Sequence, residues 1–494
     1  MSRGPGYGAQ PGVVLDGPGV TVLPTGFRVR LSPHARRCDD GATLLGGSRR
    51  RVLRIRPAAQ GRITAEGELV VRDEVDARLA RNLLDRGFAD PVWHTPPDGP
   101  DADRAVGDVT VVIPTLDRPD AVQALLATLP PGLAVIVVDD GSRDPDRVRA
   151  VAERHGALVL RHDTNLGPAA ARNTGLRRVS TPLVAFVDSD ITPQPGWLAT
   201  LVRHFTDPAV AVAAPRVLGP SPDPADGWVE RYEQARSSLD LGPHPALVAP
   251  GGVVSYLPSA CLLARVEALG AGFEESMRVG EDVDLIWRLA EAGWRVRYEP
   301  TASVRHAHRA EFWPWLQRKA FYGSSAAELA RRHRSAVAPM VLRGWSLALV
   351  AGALAQRRWS PGVVLAAYGV GTWRTAAQLR SLDHPARAAA VLTLEAAVSS
   401  LWQTGAGLTR HYWPVAVPAA LVSRRARRAL VVAAVADALA DYRRVRPRLG
   451  PARYVVARRL DDLAYGAGLW AGAWRARSLR ALVPDLGPRG AGPR

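Results

Sequence analysis

A chain of 494 residues, 47% hydrophobic and 22% charged, has the balance of a globular protein and the length of two to four domains. Its two cysteines, Cys38 and Cys261, exclude a disulfide framework and a cysteine-rich metal site. The net charge is +17, but residues 331–494 alone hold 26 Arg against 7 acidic residues, a net of +19 that leaves −2 on the first 330; a nucleic-acid enzyme concentrates base around its active site, so nucleic acid is excluded as a partner.

Residues 1–20, rich in Gly and Pro, read as a disordered leader. Their single apolar run, Val13-Val14-Leu15, is too short for the core of a signal peptide. Residues 21–94 form a small unit. Phe27–Leu31 alternates as a strand does, Glu68–Val71 is a second strand, and Val75, Leu79, Leu83 and Leu84 recur at helical spacing. This β, β, α content is compatible with a winged-helix-like α+β module. A Pro- and Asp-rich linker follows over 95–107.

From 108 to 332 the pattern changes. Apolar runs at 109–113, 134–138, 158–160 and 183–187 read as buried parallel strands, with helical stretches at 120–129, 147–155 and 169–177 between them. The expected fold is α/β, a doubly wound sheet whose ligands bind at the carboxyl ends of its strands. Residues 333–494 are apolar but interrupted. Runs at 344–355, 361–373, 411–422 and 429–440 fall short of the roughly 20 residues a membrane span needs. Together with the cluster Arg424–Arg428 they point to a helical region lying on an anionic membrane surface, with tilted or re-entrant spans left open. The chain is therefore expected on the cytoplasmic face of the cell membrane.

The chemistry-bearing residues lie at the strand ends. Val111–Thr115 ends a strand in Pro114 and opens into a loop. Asp139-Asp140-Gly141-Ser142 ends the next: its carboxylates either accept from a nucleoside's N–H and hydroxyls or simply build a turn. Asp188-Ser189-Asp190 follows the fourth strand. Two carboxylates there are unfavourable without a neutralising cation, and a hard divalent ion, Mg²⁺ or Mn²⁺, bridging to a diphosphate meets that need. In Gly167–Gly175, Arg172 and Asn173 occupy the early turns of a helix, where they support the nucleotide or the aspartates, or only pack. Glu281-Asp282 opens another helix as a candidate general base or as an acidic N-terminus favoured by the helix dipole. His306, with His308 behind it, could complete a metal site. No Gly-x-Gly-x-x-Gly follows the first strand, which argues against a dinucleotide oxidoreductase.

In this order, across 109–308, these elements resemble the inverting glycosyltransferase family 2 with its GT-A fold. The resemblance implies that Asp140 contacts uracil and Asp139 the adjoining nucleoside, that Asp188 faces ribose and metal, and that Asp190 is the main metal ligand with His306. It implies that Pro258-Ser259-Ala260 is the acceptor-side loop and that Asp282, beside Glu281, is the base. Further segments lie outside that pattern: Leu44–Ser48, Pro57–Gln60, Lys319–Ala326, Arg410–Pro414 and Arg459–Trp470 resemble the glycosyltransferases of the mycofactocin system of actinobacteria. That likeness implies a UDP-sugar donor, with glucose as the sugar transferred, and a peptide-derived redox cofactor precursor as acceptor. It also implies a precursor-peptide or pathway-protein contact through residues 21–94, whose alternative role is to pack on the catalytic domain. The alternative function is a membrane glycosyltransferase for cell-wall polysaccharide or glycolipid. Gln356-Arg357-Arg358-Trp359, a near match to a signature of processive synthases, reads as a helix end.

Overall fold

The computed structural model describes residues 17–18, 22–48, 51–95, 107–307, 311–380 and 382–487. Most of the leader, most of the linker and His308 lie outside the described residues.

The N-terminal module holds strands β1 (Arg28–Leu31), β2 (Ala35–Cys38), β3 (Thr43–Gly46), β4 (Arg51–Arg54) and β5 (Glu68–Val70), helix α1 (Glu74–Asp85) and strand β6 (Ala89–Pro91). They make two antiparallel three-stranded sheets, β5-β1-β6 and β2-β3-β4. The Asp73 carboxylate caps α1 by accepting from the Asp76 N–H. The helix buries Ala77, Ala80, Leu83 and Leu84 against Val29, Leu44, Leu69 and Phe88. The expected strands and helix fall within one residue or so of these bounds. The β2-β3-β4 sheet was not legible, because its strands are four residues long and β2 and β4 each carry two Arg.

The catalytic region runs β7 (Val109–Thr115), α2 (Pro119–Leu126), β8 (Ala134–Asp139), α3 (Pro145–Arg154), β9 (Leu158–Arg161), α4 (Pro168–Leu176), β10 (Leu183–Val187), β11 (Ile191–Pro193), α5 (Trp197–Val202), β12 (Val210–Leu218), α6 (Trp228–Arg236), β13 (Ala246–Leu247), β14 (Cys261–Arg265), α7 (Glu281–Glu291) and β15 (Arg295–His306). The strands form a mixed sheet of order β11-β15-β12-β14-β10-β7-β8-β9, with β13 beside β15. Strands β10, β7, β8 and β9 are parallel, whereas β14 runs antiparallel to β10 and β12. Alternation decides the layers: Val109, Val111, Ile113 and Val187 enter one core, and Val112, Val138, Val184 and Phe186 the other. Both faces are covered, as parallel strands require, and the doubly wound mixed sheet expected from the sequence is present.

The remaining chain is helical: α8 (Phe312–Ser324), α9 (Ala326–His333), α10 (Gly344–Ala355), α11 (Ser360–Gln378), α12 (Pro385–Ala406), α13 (Trp413–Val422), α14 (Arg424–Val445) and α15 (Pro451–Arg475). Gln356 ends α10 in a left-handed conformation, so the synthase-like tetrapeptide is a helix end. Helices α12 and α15 were not anticipated, because Glu395 and the Arg and Asp residues interrupt their apolar runs. Among the described residues no helix is long and apolar enough to cross a membrane.

The N-terminal module is clamped to the catalytic region. Arg81 forms a two-pronged pair with Asp207 at 2.7 and 2.9 Å, and Arg295 donates to Asp85 at 2.7 Å. Arg297, 1% exposed, lies 3.6 Å from the buried Asp90. On another side, Leu45 packs against Leu379, Leu382 and Ala389 of the helical region. Of the two roles expected for this module, packing is the one these contacts provide.

Candidate active site

One cavity of about 1300 Å³ opens at the carboxyl ends of β7, β8 and β10. It is bordered by Pro114, Asp140, Arg172, Asp188, Asp190, Pro258, Ser259, Ala260, Glu281, Asp282 and His306 among others. The sequence spreads these residues over nearly 200 positions, and the sheet order gathers them. Pairing of β10 with β14 places Ala260 beside Asp188, whose N–H donates to the Ala260 carbonyl at 2.9 Å. Pairing of β11 with β15 sets Ile191 opposite His306, which brings the His306 Nε2 to 3.5 Å from Asp190 Oδ1.

Arg172 ties the acids together. Its guanidinium is 3% exposed and donates to Asp188 Oδ1 at 2.6 Å and to Glu281 Oε1 at 3.0 Å. Helix α4 can approach β7 closely enough to do this because residue 175 is glycine; a Cβ there would collide with the Val112 side chain. Burial opposes the arginine's charge, but Asp188 and Glu281 outweigh it and raise its pKa. Of the roles open to Arg172, contact with the acids is the one its hydrogen bonds to Asp188 and Glu281 provide.

Asp282 is placed differently. Its Oδ1 accepts from the Val283 N–H at 2.8 Å and its Oδ2 from the Ser259 N–H at 3.3 Å. Burial and the neighbouring Glu281 charge push its pKa up to about 7. Such a carboxylate can accept a proton near neutral pH. Glu281 is engaged by Arg172 and acts on Asp282 through its charge.

Three expectations are modified. The Asn173 amide donates to the Phe273 carbonyl and Glu275, and its Oδ1 accepts from the Phe273 N–H, all at 2.8–2.9 Å. It therefore braces the 273–275 loop and does not border the cavity. Asp139 is 1% exposed, with Oδ1 on the Ser142 N–H and Oδ2 on Arg161; the turn-building reading describes its side chain, which also lies off the cavity wall. Asp140 does border the cavity, though its oxygens accept from His162 and from the N–H groups of Leu166 and Gly167 at 2.8–2.9 Å.

Sequence reasoning missed Arg118, which pairs with Asp190 Oδ2, and Asp117, held in a left-handed turn by Ser142 and Arg143. Both follow Pro114 at the carboxyl end of β7, a position that could have marked them. Among the described residues no group of three His, Cys, Asp or Glu stands as a ready metal cage. The donor set is still suited to a hard cation: Asp190 and His306 face each other across 3.5 Å and Asp188 is part-exposed beside them.

The glycosyl transferase family 2 model matches residues 110–270. The pre-mycofactocin glycosyltransferase of Mycobacterium tuberculosis is 45% identical over 489 residues, 94% of this chain and 99% of that protein. An uncharacterised glycosyltransferase of Mycobacterium bovis is 33% identical over 38% of this chain and 81% of its own length. A mannosyltransferase from Pyrobaculum calidifontis, in complex with GDP-Man and Mn²⁺, aligns with 63% of this chain and 90% of its own at 21% identity and a TM-score of 0.36, a likeness too slight to argue from.

Proposed function

The chain belongs to the pre-mycofactocin glycosyltransferases, enzymes of glycosyltransferase family 2, and from that premise we propose that it transfers glucose from a UDP-sugar, with inversion, onto the peptide-derived acceptor of the mycofactocin pathway. The convergence of Asp188, Asp190, His306 and Asp282 on one cavity carries this reading. Asp282 takes the acceptor hydroxyl's proton as that oxygen attacks the anomeric carbon. The bond from that carbon to the phosphate oxygen breaks, and its electron pair leaves with the nucleoside diphosphate. A single displacement turns an α-linked donor into a β-glycoside. Asp190 and His306, with Asp188, would hold Mg²⁺ or Mn²⁺, which supplies Lewis-acid stabilisation of the leaving diphosphate. Asp140 and the Pro114–Arg118 loop face the nucleoside end. Because each product carries new hydroxyls, repeated rounds would build a β-linked oligosaccharide.

The module of residues 21–94 is read as winged-helix-like and as an aid to acceptor presentation. The Ser48 carbonyl supports this by accepting from the Val253 N–H, in the loop that carries the cavity residues Ser255 and Tyr256. The helical region is read as lying on the cytoplasmic membrane face. Val391, Leu394, Val398 and Leu401 share one exposed face of α12, and Val431, Val432, Val435 and Leu439 one of α14.

The test is Asp190→Ala. Transfer should be abolished and UDP binding in the presence of Mg²⁺ or Mn²⁺ weakened, as EDTA should do to the wild type. Full activity in either case would remove the metal site from the reading.

A further inference from the structure

Three segments that stood out in the sequence lie beyond the catalytic region: Lys319–Ala326, Arg410–Pro414 and Arg459–Trp470. The fold brings them together. A Cβ at Gly323 would strike the Tyr465 carbonyl oxygen, at Gly468 that of Ala320, at Gly472 that of Ser324, and at Gly466 that of Arg410. Helices α8 and α15 and the turn before α13 therefore meet backbone to backbone, and the Trp470 Nε1 secures the contact by donating to the His411 carbonyl at 2.7 Å. Through this packing Lys319, Arg410, Asp461 and Tyr465 border the cavity that holds Asp188 and Asp282.

Asp461 is 4% exposed. Its Oδ2 accepts from the Tyr232 hydroxyl at 2.9 Å and lies 3.6 Å from Nζ of Lys319, the chain's only lysine. That ammonium is itself held by Glu233 at 2.8 Å. Among the described residues Asp461 Oδ1 has no hydrogen-bond donor, and Arg410 approaches it only to 3.7 Å. Arg410 instead bonds Asp462 at 3.1 Å and lies over the Tyr465 ring, 3.8 Å from its centroid. Burial would raise the Asp461 pKa, but Lys319, Arg410 and Arg458 hold it below the ordinary carboxylate range, so the group is an anion that accepts. A buried carboxylate oxygen lacking a donor is unfavourable, and a ligand can supply one. A further cation is disfavoured by the three already present, whereas a neutral O–H fits. The same cavity is lined by Tyr256, Tyr322, Tyr465 and Arg410 together with Asp282, so this wall and the base share one space.

We propose that Asp461 Oδ1 and the Arg410–Tyr465 pair form an acceptor subsite, contributed by the helical region, that binds a hydroxyl-bearing acceptor through a non-reacting O–H donated to Asp461. The proposal rests on the glycosyl-transfer reading above. Asp461 here positions substrate, and proton removal stays with Asp282.

The test uses the full chain with Asp461→Asn and, separately, Tyr465→Leu, which alters a partly exposed side chain and so guards against a folding failure. UDP-glucose and pre-mycofactocin serve as substrates, and UDP affinity with Mg²⁺ is measured by calorimetry. The acceptor KM should rise about 10- to 100-fold in Asp461→Asn, the loss expected for a hydrogen bond to a charged group. It should rise less in Tyr465→Leu, and UDP affinity should stay within about twofold in both. Unchanged acceptor KM in the folded variants would overturn the subsite, as would an equal loss of UDP affinity. Wild-type enzyme that transfers nothing and binds no UDP would overturn the glycosyl-transfer reading and the subsite with it, an outcome the wild-type control separates from the others.

Discussion

Asp282 and Asp284 stand two residues apart on α7, and their surroundings drive them in opposite directions. Burial would raise Asp284, but His333, Arg332 and Arg288 bond to it and hold it well below the carboxylate range. Among the described residues no cation bonds to Asp282; burial and the Glu281 charge outweigh the nearby Arg172 and raise it to about 7. A base must be unprotonated to act, so kcat/KM should fall as pH drops through about 7, giving an acid limb. Asp282→Asn keeps the shape but cannot take a proton, and should lower turnover by about 10²–10⁴-fold while leaving UDP affinity in place. A pH–rate series on both proteins checks this. Near-normal turnover in the variant, with the limb intact, would assign the base to Glu281.

At the scale of elements, the contact between α1 with β6 and the catalytic sheet rests on charges removed from water. Among the described residues the Arg297 guanidinium has no hydrogen-bond acceptor and depends on Asp90, itself raised to about 6 by burial. Removing one member of such a pair leaves the other uncompensated, so Asp90→Ala should destabilise the protein by about 3–5 kcal/mol. The exposed Arg36–Glu395 pair is a control, since pairs of that kind contribute about 0–1 kcal/mol. Urea denaturation of Asp90→Ala and Glu395→Ala compares them. Equal midpoints would mean that the Arg297–Asp90 pair does not hold the module and that the Arg81–Asp207 and Arg295–Asp85 pairs and the apolar contacts do.

For the whole molecule, the exposed apolar faces of α12 and α14 sit within a region of net charge +19 that includes Arg424, Arg425, Arg427 and Arg428. Basic residues near an anionic bilayer contribute about 1 kcal/mol each. Interfacial helices with such faces bind without spanning. The protein should therefore sediment with phosphatidylserine-containing vesicles at low salt, be partly released by high salt, and bind neutral vesicles more weakly. Recovery of all protein in the supernatant at low salt would contradict a membrane location.

Much of the catalytic half was legible because its signals are local. Buried parallel strands are continuous apolar runs, so 109–113, 134–138 and 183–187 could be placed almost to the residue, and carboxylates just past their ends had to face the ligand crevice. The sequence by itself thus determined the α/β class, the order of strands and helices, and the candidacy of Asp188, Asp190 and Asp282. It could not decide between a packing and a functional role where the two share a residue type: whether Asn173 turns inward to the 273–275 loop, or Arg172 outward to Asp188, depends on which face of α4 meets the sheet. Nor could it show that Arg118 reaches Asp190, or that Asp461 comes to the same cavity as Asp188. Those contacts join residues 72 and 273 positions apart. They exist because strand order and glycine-permitted backbone contacts bring distant segments together, and the free energy of that packing belongs to the pair of surfaces and to neither segment alone.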